Sequence, residues 1–376
     1  VSMSDRSDPS VHRQKGYLSN LKIHLRSETS RLLCRKQIKE TGVFHSLSFL
    51  SSAWPKLINA SDADLVHLHW INAEMLSVKD ISKIKKPIVW TLHDMWAFSG
   101  AEHLSYEKRW QDGYANSKHN ILRLDWNRLV WKRKKRHWKK PLHIVTPSSW
   151  LGECVAQSPL MLDWPREVVP NCLDTNFWQA FDKKSARQLL QLPLEKPLLS
   201  FGSFGGNNSF HKGGDLLQEA LKKLKCKVPE LEIVVFGNSK TKQNLYGNIP
   251  THYIGHLQDE YSMRALYSAS DAVVVPSRND NFPGVALEAL ACGTPVICFD
   301  TCGLKDIVDH KINGYLASSF DTSDLARGIF WVLNHKKSKS LSSAARNKVL
   351  NKYSEKIVAE KYLNIYYNAI KVARSV

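Results

Sequence analysis

Apolar residues follow two rhythms along the second half of the chain. Short β-branched runs at residues 198–201, 232–236, 252–254, 272–275 and 295–298 read as strands. Between them, residues 215–224, 259–268 and 284–292 place apolar side chains at helical intervals. Strands that are apolar on both faces and alternate with helices predict a parallel, doubly wound sheet. The first half repeats the theme less cleanly, with strand-like runs at 65–69, 88–92 and 143–146. Residues 168–174 close one unit and open the next, so the expected domains are 1–169 and 170–353. Helical spacing near the end predicts that 354–376 forms a last helix packing back towards the first domain. Two α/β domains facing a central cleft collect ligands at the carboxyl ends of their strands.

Composition fits that reading. A chain of 376 residues suits two domains, and 23% charged with 43% apolar residues is a globular balance. No apolar run reaches the roughly 18 residues needed to cross a bilayer. The seven cysteines form no CxxC pair, and several sit in apolar runs such as Pro295-Val296-Ile297-Cys298. Reduced, buried thiols and a cytoplasmic setting are therefore expected. The formal charge of +18, from 53 basic and 35 acidic residues, points to an anionic partner. Nucleic acid, acidic lipid headgroups and nucleotide diphosphates all meet that requirement.

Chemistry concentrates in Pro276-Ser277-Arg278-Asn279-Asp280-Asn281-Phe282-Pro283-Gly284-Val285-Ala286-Leu287-Glu288, which runs from a strand through a loop into a helix. Pro283 suits the first helical turn, where its missing N–H costs nothing. The free N–H groups from Gly284 onward make an anion site. Glu288 is the lone carboxylate on an otherwise apolar helix and needs partners. The two hydroxyls of a ribose would satisfy it, as would a backbone amide or a cation. Asp280 faces the same ligand from the loop, or is a solvated turn residue.

A second segment, from Phe201-Gly202-Ser203-Phe204-Gly205-Gly206 to Lys212-Gly213-Gly214, is a glycine-rich loop with a lysine at a helix mouth. Glycines let backbone approach phosphate oxygens and Lys212 can neutralise them, although a plain surface loop has the same composition. It is neither a P-loop nor a GxGxxG fingerprint, which leaves NAD with little support.

In the first half, His67, His69 and His93 stand at strand ends. His67 and His69 share a face, but no carboxylate or third histidine at ligand spacing makes them a metal pair. Asp62 and Asp64 precede their strand, which suits a turn better than a metal-binding Asp-x-Asp. His93 is either a ligand-facing residue or a histidine satisfied in the core. The basic stretch from Arg128 to Lys140 carries Trp131 and Trp138 seven residues apart on one helical face. It suits an acidic membrane surface, or a solvated helix whose tryptophans pack inward.

Together these segments resemble the retaining glycosyltransferases of family 4, which have the GT-B fold: two Rossmann-like doubly wound domains. Thr146-Pro147-Ser148-Ser149-Trp150, Val169-Pro170-Asn171-Cys172-Leu173-Asp174, Lys212-Gly213, Gly255-His256-Leu257 and Tyr267 to Asp271 add to the likeness, which runs in order over residues 60–335. The resemblance implies a catalytic set of His93, Lys212, Asp280 and Glu288. Glu288 would bind the ribose, Asp280 would approach the donor sugar, Lys212 and Gly284 would hold the diphosphate, and His93 would sit near the anomeric carbon. The implied donor-binding set is Ser203, Gly205, Lys212, His256, Leu257, Asp280, Phe282, Pro283, Gly284, Val285 and Glu288, with no metal and no further cofactor. A nucleotide-diphosphate sugar would be the donor, and a glycan or lipid-linked oligosaccharide of a bacterial surface polysaccharide the acceptor. A peripheral contact on the inner face of the cytoplasmic membrane, through Arg128 to Lys140, goes with that acceptor.

Departures from the family pattern are specific. Asp280 is one methylene shorter than the usual glutamate, Cys172 replaces a glycine, and Lys212 lacks an arginine partner at the earlier position. The family's opening strand, glycine-rich loop and helix have no counterpart before Val1, so the first domain is expected to lack them. Three rivals share parts of the pattern: a nucleotide-sugar epimerase, an inert sugar-nucleotide binder, and a basic nucleic-acid-binding protein. The last has no recognisable RNA or DNA module.

Overall fold

The computed structural model describes residues 17–115, 124–202, 210–224, 227–237, 249–335 and 338–375. The chain divides into two compact units, Val1–Thr146 with Leu151–Val168 and Leu363–Val376, and Pro147–Trp150 with Val169–Tyr362.

The described part of the first unit carries four parallel strands in sequence order, β1 (Val66–Leu68), β2 (Ile88–Thr91), β3 (His143–Thr146) and β4 (Arg166–Val168). β2 is buried along its length, as an interior parallel strand must be. All three residues of β4 are exposed, which is why no apolar pattern announces it. Two helices matter below, α1 (Tyr17–Thr41) and α2 (Trp126–His137). α2 starts where the Asp125 carboxylate accepts the Arg128 N–H at 3.1 Å, and its last turn carries Lys135 and Arg136, whose charge complements the negative end of the helix dipole.

The basic stretch is not uniformly a surface. Trp131 and Trp138 are buried, so their rings are not available to lipid, and the inward-packing alternative describes them. Lys134 is wholly buried between them. Its ammonium lies 3.8 Å from the Trp96 ring centre and donates to the carbonyls of Trp96, Ser99 (3.2 Å) and Gly100 (2.7 Å). Burial drives its pKa well down, while Glu102 and Asp94 oppose the shift. Lys134→Met keeps the stem but strips those carbonyls of a donor, so a loss of about 2 kcal/mol is expected in denaturant unfolding. An unchanged midpoint would show that the loop 96–100 does not depend on it.

The second unit has six parallel strands: β5 (Leu198–Gly202), β6 (Glu232–Phe236), β7 (Thr251–Gly255), β8 (Ala272–Val275), β9 (Val296–Phe299) and β10 (Gly314–Ala317). Their spatial order is β10-β9-β8-β5-β6-β7. The two-residue alternation sends Val234, Phe236, Val273 and Val275 into one core and Ile233, Val235 and Val274 into another. Helices α3 (Gly214–Leu224), α4 (Glu260–Ala269), α5 (Gly284–Ala291) and α6 (Thr322–Leu333) cover these faces. The five strands read from sequence match to within one residue at either end. β10 was hidden because Gly-Tyr-Leu-Ala is short and not β-branched.

A final helix, α7 (Glu355–Arg374), contributes Tyr366 to the first unit, where its hydroxyl lies 2.6 Å from His67 Nδ1. Among the described cysteines, Cys34, Cys154, Cys292 and Cys298 are buried thiols outside any disulfide, and burial pushes the Cys292 thiol up to about 12. No described helix is long and apolar enough to cross a membrane.

Candidate functional site

Strand order in the second unit fixes where a ligand can enter. β5 and β8 are neighbours, yet β6 and β7 lie on one side of them and β9 and β10 on the other. The chain therefore leaves β5 and β8 in opposite directions, and a crevice opens beyond their carboxyl ends. Both motif segments begin there.

After β5 the chain returns as one tight turn, Phe210–Lys212, followed by Gly213 and α3. This turn is laced to the segment that follows β8. The Arg278 N–H donates to His211 O at 2.9 Å. The Arg278 guanidinium grips the Asp215 carboxylate through two bonds, 2.7 and 2.6 Å, donates to Phe210 O at 2.8 Å and lies over the Phe210 ring. A bidentate fork of this kind sets direction as well as distance. It holds the Asp215 carboxyl below the usual range. Gly213, at φ +66°, touches the end of β8 so closely that a Cβ there would lie 1.9 Å from Pro276 O. The result is that Lys212 Nζ meets Asp280 Oδ2 at 2.8 Å.

α5 begins at Gly284 after Pro283, and no side chain caps its first turn. Its N–H groups open towards the same crevice. Four residues on, Glu288 is half-buried on a helix whose other faces pack into the core. The buried Tyr267 of α4 donates its hydroxyl to Glu288 Oε2 at 2.8 Å. The other oxygen, Oε1, lies towards Gly284, 3.0 Å from where a Cβ would stand. Burial raises the Glu288 pKa and the Tyr267 bond opposes it.

These groups share one hollow. A cavity of about 350 Å³ is lined by Lys212, His256, Leu257, Asp280, Pro283, Val285 and Glu288, with Phe236, Met263 and Val275 as its apolar wall. That volume suits a small-molecule site of roughly 300–1,000 Å³. Phe282 faces elsewhere: its ring is buried against Tyr353 at 5.5 Å, within the core. Gly284 is exposed at the helix start. Ser203 and Gly205 lie outside the described residues.

His93 belongs to the first unit, just past β2, with Nε2 2.9 Å from His69 Nδ1. The His67 ring lies beside that of His69, ring centres 4.2 Å apart and planes tilted by 42°, and its Nε2 lies 2.7 Å from Thr91 Oγ1. Burial first, and then its two imidazole neighbours, lower His67 to about 4. His93 is lowered by burial, with Asp94 opposing. These rings are neutral near pH 7 and hold one another in register.

Two contributors escaped sequence reasoning. Tyr267 stood in a quoted segment, but a helical tyrosine reads as core until a carboxylate is found at its hydroxyl. Arg278 lay inside the richest motif and was passed over for its neighbours, because only the fold brings Asp215 and Phe210 to it.

Comparison with known proteins places both units. Residues 195–348 match the family model described as glycosyl transferases group 1, and residues 35–177 match that of glycosyltransferase family 4. A D-inositol 3-phosphate glycosyltransferase of Xylanimonas cellulosilytica is 33% identical over 149 residues, 37% of this chain. The match spans 34% of that relative's own length. Among solved structures, sucrose-phosphate synthase from Thermosynechococcus elongatus superposes with a TM-score of 0.63 at 19% identity, over 85% of this chain and 77% of that one. The Anabaena Alr3699/HepE protein in complex with UDP-glucose gives 0.61 at 19%, over 81% and 79%. The shared architecture is GT-B, with two Rossmann-like domains. Residues 195–348 of this chain are thus similar to group 1 glycosyl transferases, and residues 35–177 to glycosyltransferases of family 4.

Proposed function

We propose that the chain transfers a hexosyl group from a nucleotide-diphosphate donor to a hydroxyl of a glycan or lipid-linked oligosaccharide, with retention of anomeric configuration and without a metal. One observation carries the reading: Lys212, the uncapped start of α5 and Glu288 line or border the same cavity at the strand-order switch. The diphosphate lies between Lys212 and the α5 amides. The ribose hydroxyls donate to Glu288, whose Oε2 is already steadied by Tyr267. Asp280, on the lysine's far side, takes the sugar end.

In the reaction the bond from the anomeric carbon to the diphosphate oxygen breaks, and its electron pair leaves with the phosphate. The acceptor oxygen bonds to the same face of that carbon, and its proton passes to the departing phosphate oxygen. Lys212 and the amides meet the growing negative charge, which is the work a metal would otherwise do. Retention and the acceptor class rest on the family resemblance. The exposed Lys132, Lys135, Arg136, Lys139 and Lys140 support a contact with acidic lipid near such an acceptor.

A thermal-shift screen against UDP-, GDP- and ADP-sugars tests the donor half. UDP is the first choice, given the UDP-glucose complex of the Anabaena neighbour. One nucleotide class should raise the midpoint, by about 2.7 kcal/mol of stability at a hundred times its Kd. No response to any of the three would remove the donor site and the proposal with it.

A further inference from the structure

Tyr267 sits behind the second-unit cavity rather than in its lining. It is wholly buried, and its ring packs against Trp178 and Phe236, ring centres 6.0 and 6.2 Å away. Its backbone carbonyl accepts from Thr294 Oγ1 at 2.7 Å, and its hydroxyl reaches Glu288 Oε2 at 2.8 Å, so the residue is fixed at both ends. A phenylalanine would fill the same slot, so packing does not account for the hydroxyl. The hydroxyl serves the carboxylate.

The direction of that bond follows from its surroundings. Burial, and then the Glu288 charge, raise the phenol well above its ordinary value, so Tyr267 stays the donor and Glu288 the acceptor. Burial also raises Glu288; the Tyr267 bond opposes that rise, and the Glu260 charge at the start of α4 adds to it. Lys212, Asp280 and His256 face the same hollow, and Cys292, just past α5, keeps its proton. Loss of the phenolic hydroxyl therefore moves Glu288 towards its protonated form. The two forms offer different bonds: a carboxylate only accepts, whereas a carboxylic acid presents a donor as well. Two adjacent ribose hydroxyls can both donate, which answers a carboxylate whose Oε2 is held by Tyr267 and whose Oε1 lies towards Gly284. A 2′-deoxyribose brings a single donor and leaves part of a half-buried charge unsatisfied.

We propose that Tyr267 is a positioning residue of the donor site: its buried hydroxyl aims Glu288 at two adjacent sugar hydroxyls, so that the site selects ribonucleoside over 2′-deoxyribonucleoside diphosphates. This rests on the transfer reading, in which Glu288 meets the ribose. Calorimetric titration of the full chain with UDP, GDP and ADP, each beside its 2′-deoxy form, tests it across pH. The nucleotide that binds the parent should bind about tenfold or more tightly than its deoxy form. Affinity is lost as pH falls through the titration of Glu288, and Tyr267→Phe moves that loss to higher pH. The variant should therefore bind about tenfold more weakly than the parent near about pH 6, and within about threefold of it near about pH 9. Its preference for ribose at the lower pH should shrink to about threefold or less, with kcat close to that of the parent. In a Glu288→Gln background the same substitution should change affinity by less than about twofold, because the phenol acts through the carboxylate. Identical pH profiles and ribose preferences in parent and Tyr267→Phe, or an undiminished loss in the Glu288→Gln background, overturn the role and leave the transfer reading standing. A parent that binds none of the nucleotides brings down that reading, and this one with it.

Discussion

Replacing Lys212 by alanine should lower kcat by about 10²–10³ in a nucleotide-release assay, while nucleotide affinity changes much less. On the proposed reading, the α5 amides and, through the ribose, Glu288 would already hold the ground-state diphosphate. Departure of the sugar adds a full negative charge to the phosphate oxygen, and an interaction that strengthens at that moment raises kcat rather than lowering KM. Lys212 is held ready to meet that charge. Arg278 fixes the turn that carries it, and Asp280 sets its ammonium at 2.8 Å. Part of the loss in Lys212→Ala will come from Asp280 itself, which then faces the phosphates without its cation. The double variant Lys212→Ala, Asp280→Asn should therefore recover some activity. An enzyme with normal turnover after loss of the lysine would end the proposed role. By contrast, the proposed contact of Glu288 with the ribose would act equally in ground and transition states, so its loss should appear chiefly in KM.

The second unit was the more legible half of the chain, for a physical reason. Interior parallel strands buried on both faces must be written in continuous β-branched runs, and 232–236 and 272–275 were readable to the residue. Charged residues that line the cavity, such as Lys212 and Glu288, also stood out, because an ionic group in a glycine loop or on an apolar helix lacks a structural reason. What stayed hidden depends on distant partners. Tyr267 serves Glu288 from another helix, and Arg278 reaches back 63 residues to Asp215. The placement of the Phe282 ring against Tyr353 likewise depends on a partner far along the chain. The basic stretch shows the same limit: its charge is in the sequence, but the burial of Lys134 beside Trp96 is set by a loop some thirty residues away. His93 was found as a residue, while its pairing with His69 followed only once β1 and β2 lay in register.

Gly213→Ala should destabilise the second unit by roughly 2–5 kcal/mol, combining backbone strain at positive φ with a forced steric shift. The two costs can be separated within the same unit. Gly255 also has positive φ, +82°, but a Cβ there would meet nothing within 4 Å. Gly255→Ala should therefore show the strain alone, about 1–2 kcal/mol. At Gly213 the obstacle is the backbone carbonyl of Pro276, which cannot rotate out of the way as a side chain would. Relief must come from moving the Phe210–Lys212 turn off the end of β8, and that takes Lys212 away from Asp280. Gly213→Ala should thus lose nucleotide affinity by tenfold or more as well as stability, whereas Gly255→Ala should keep turnover close to that of the parent. Denaturant unfolding and nucleotide titration of the two variants read both effects. Equal losses in the pair would mean that positive φ is the whole cost, and that the approach to Pro276 does not place the lysine.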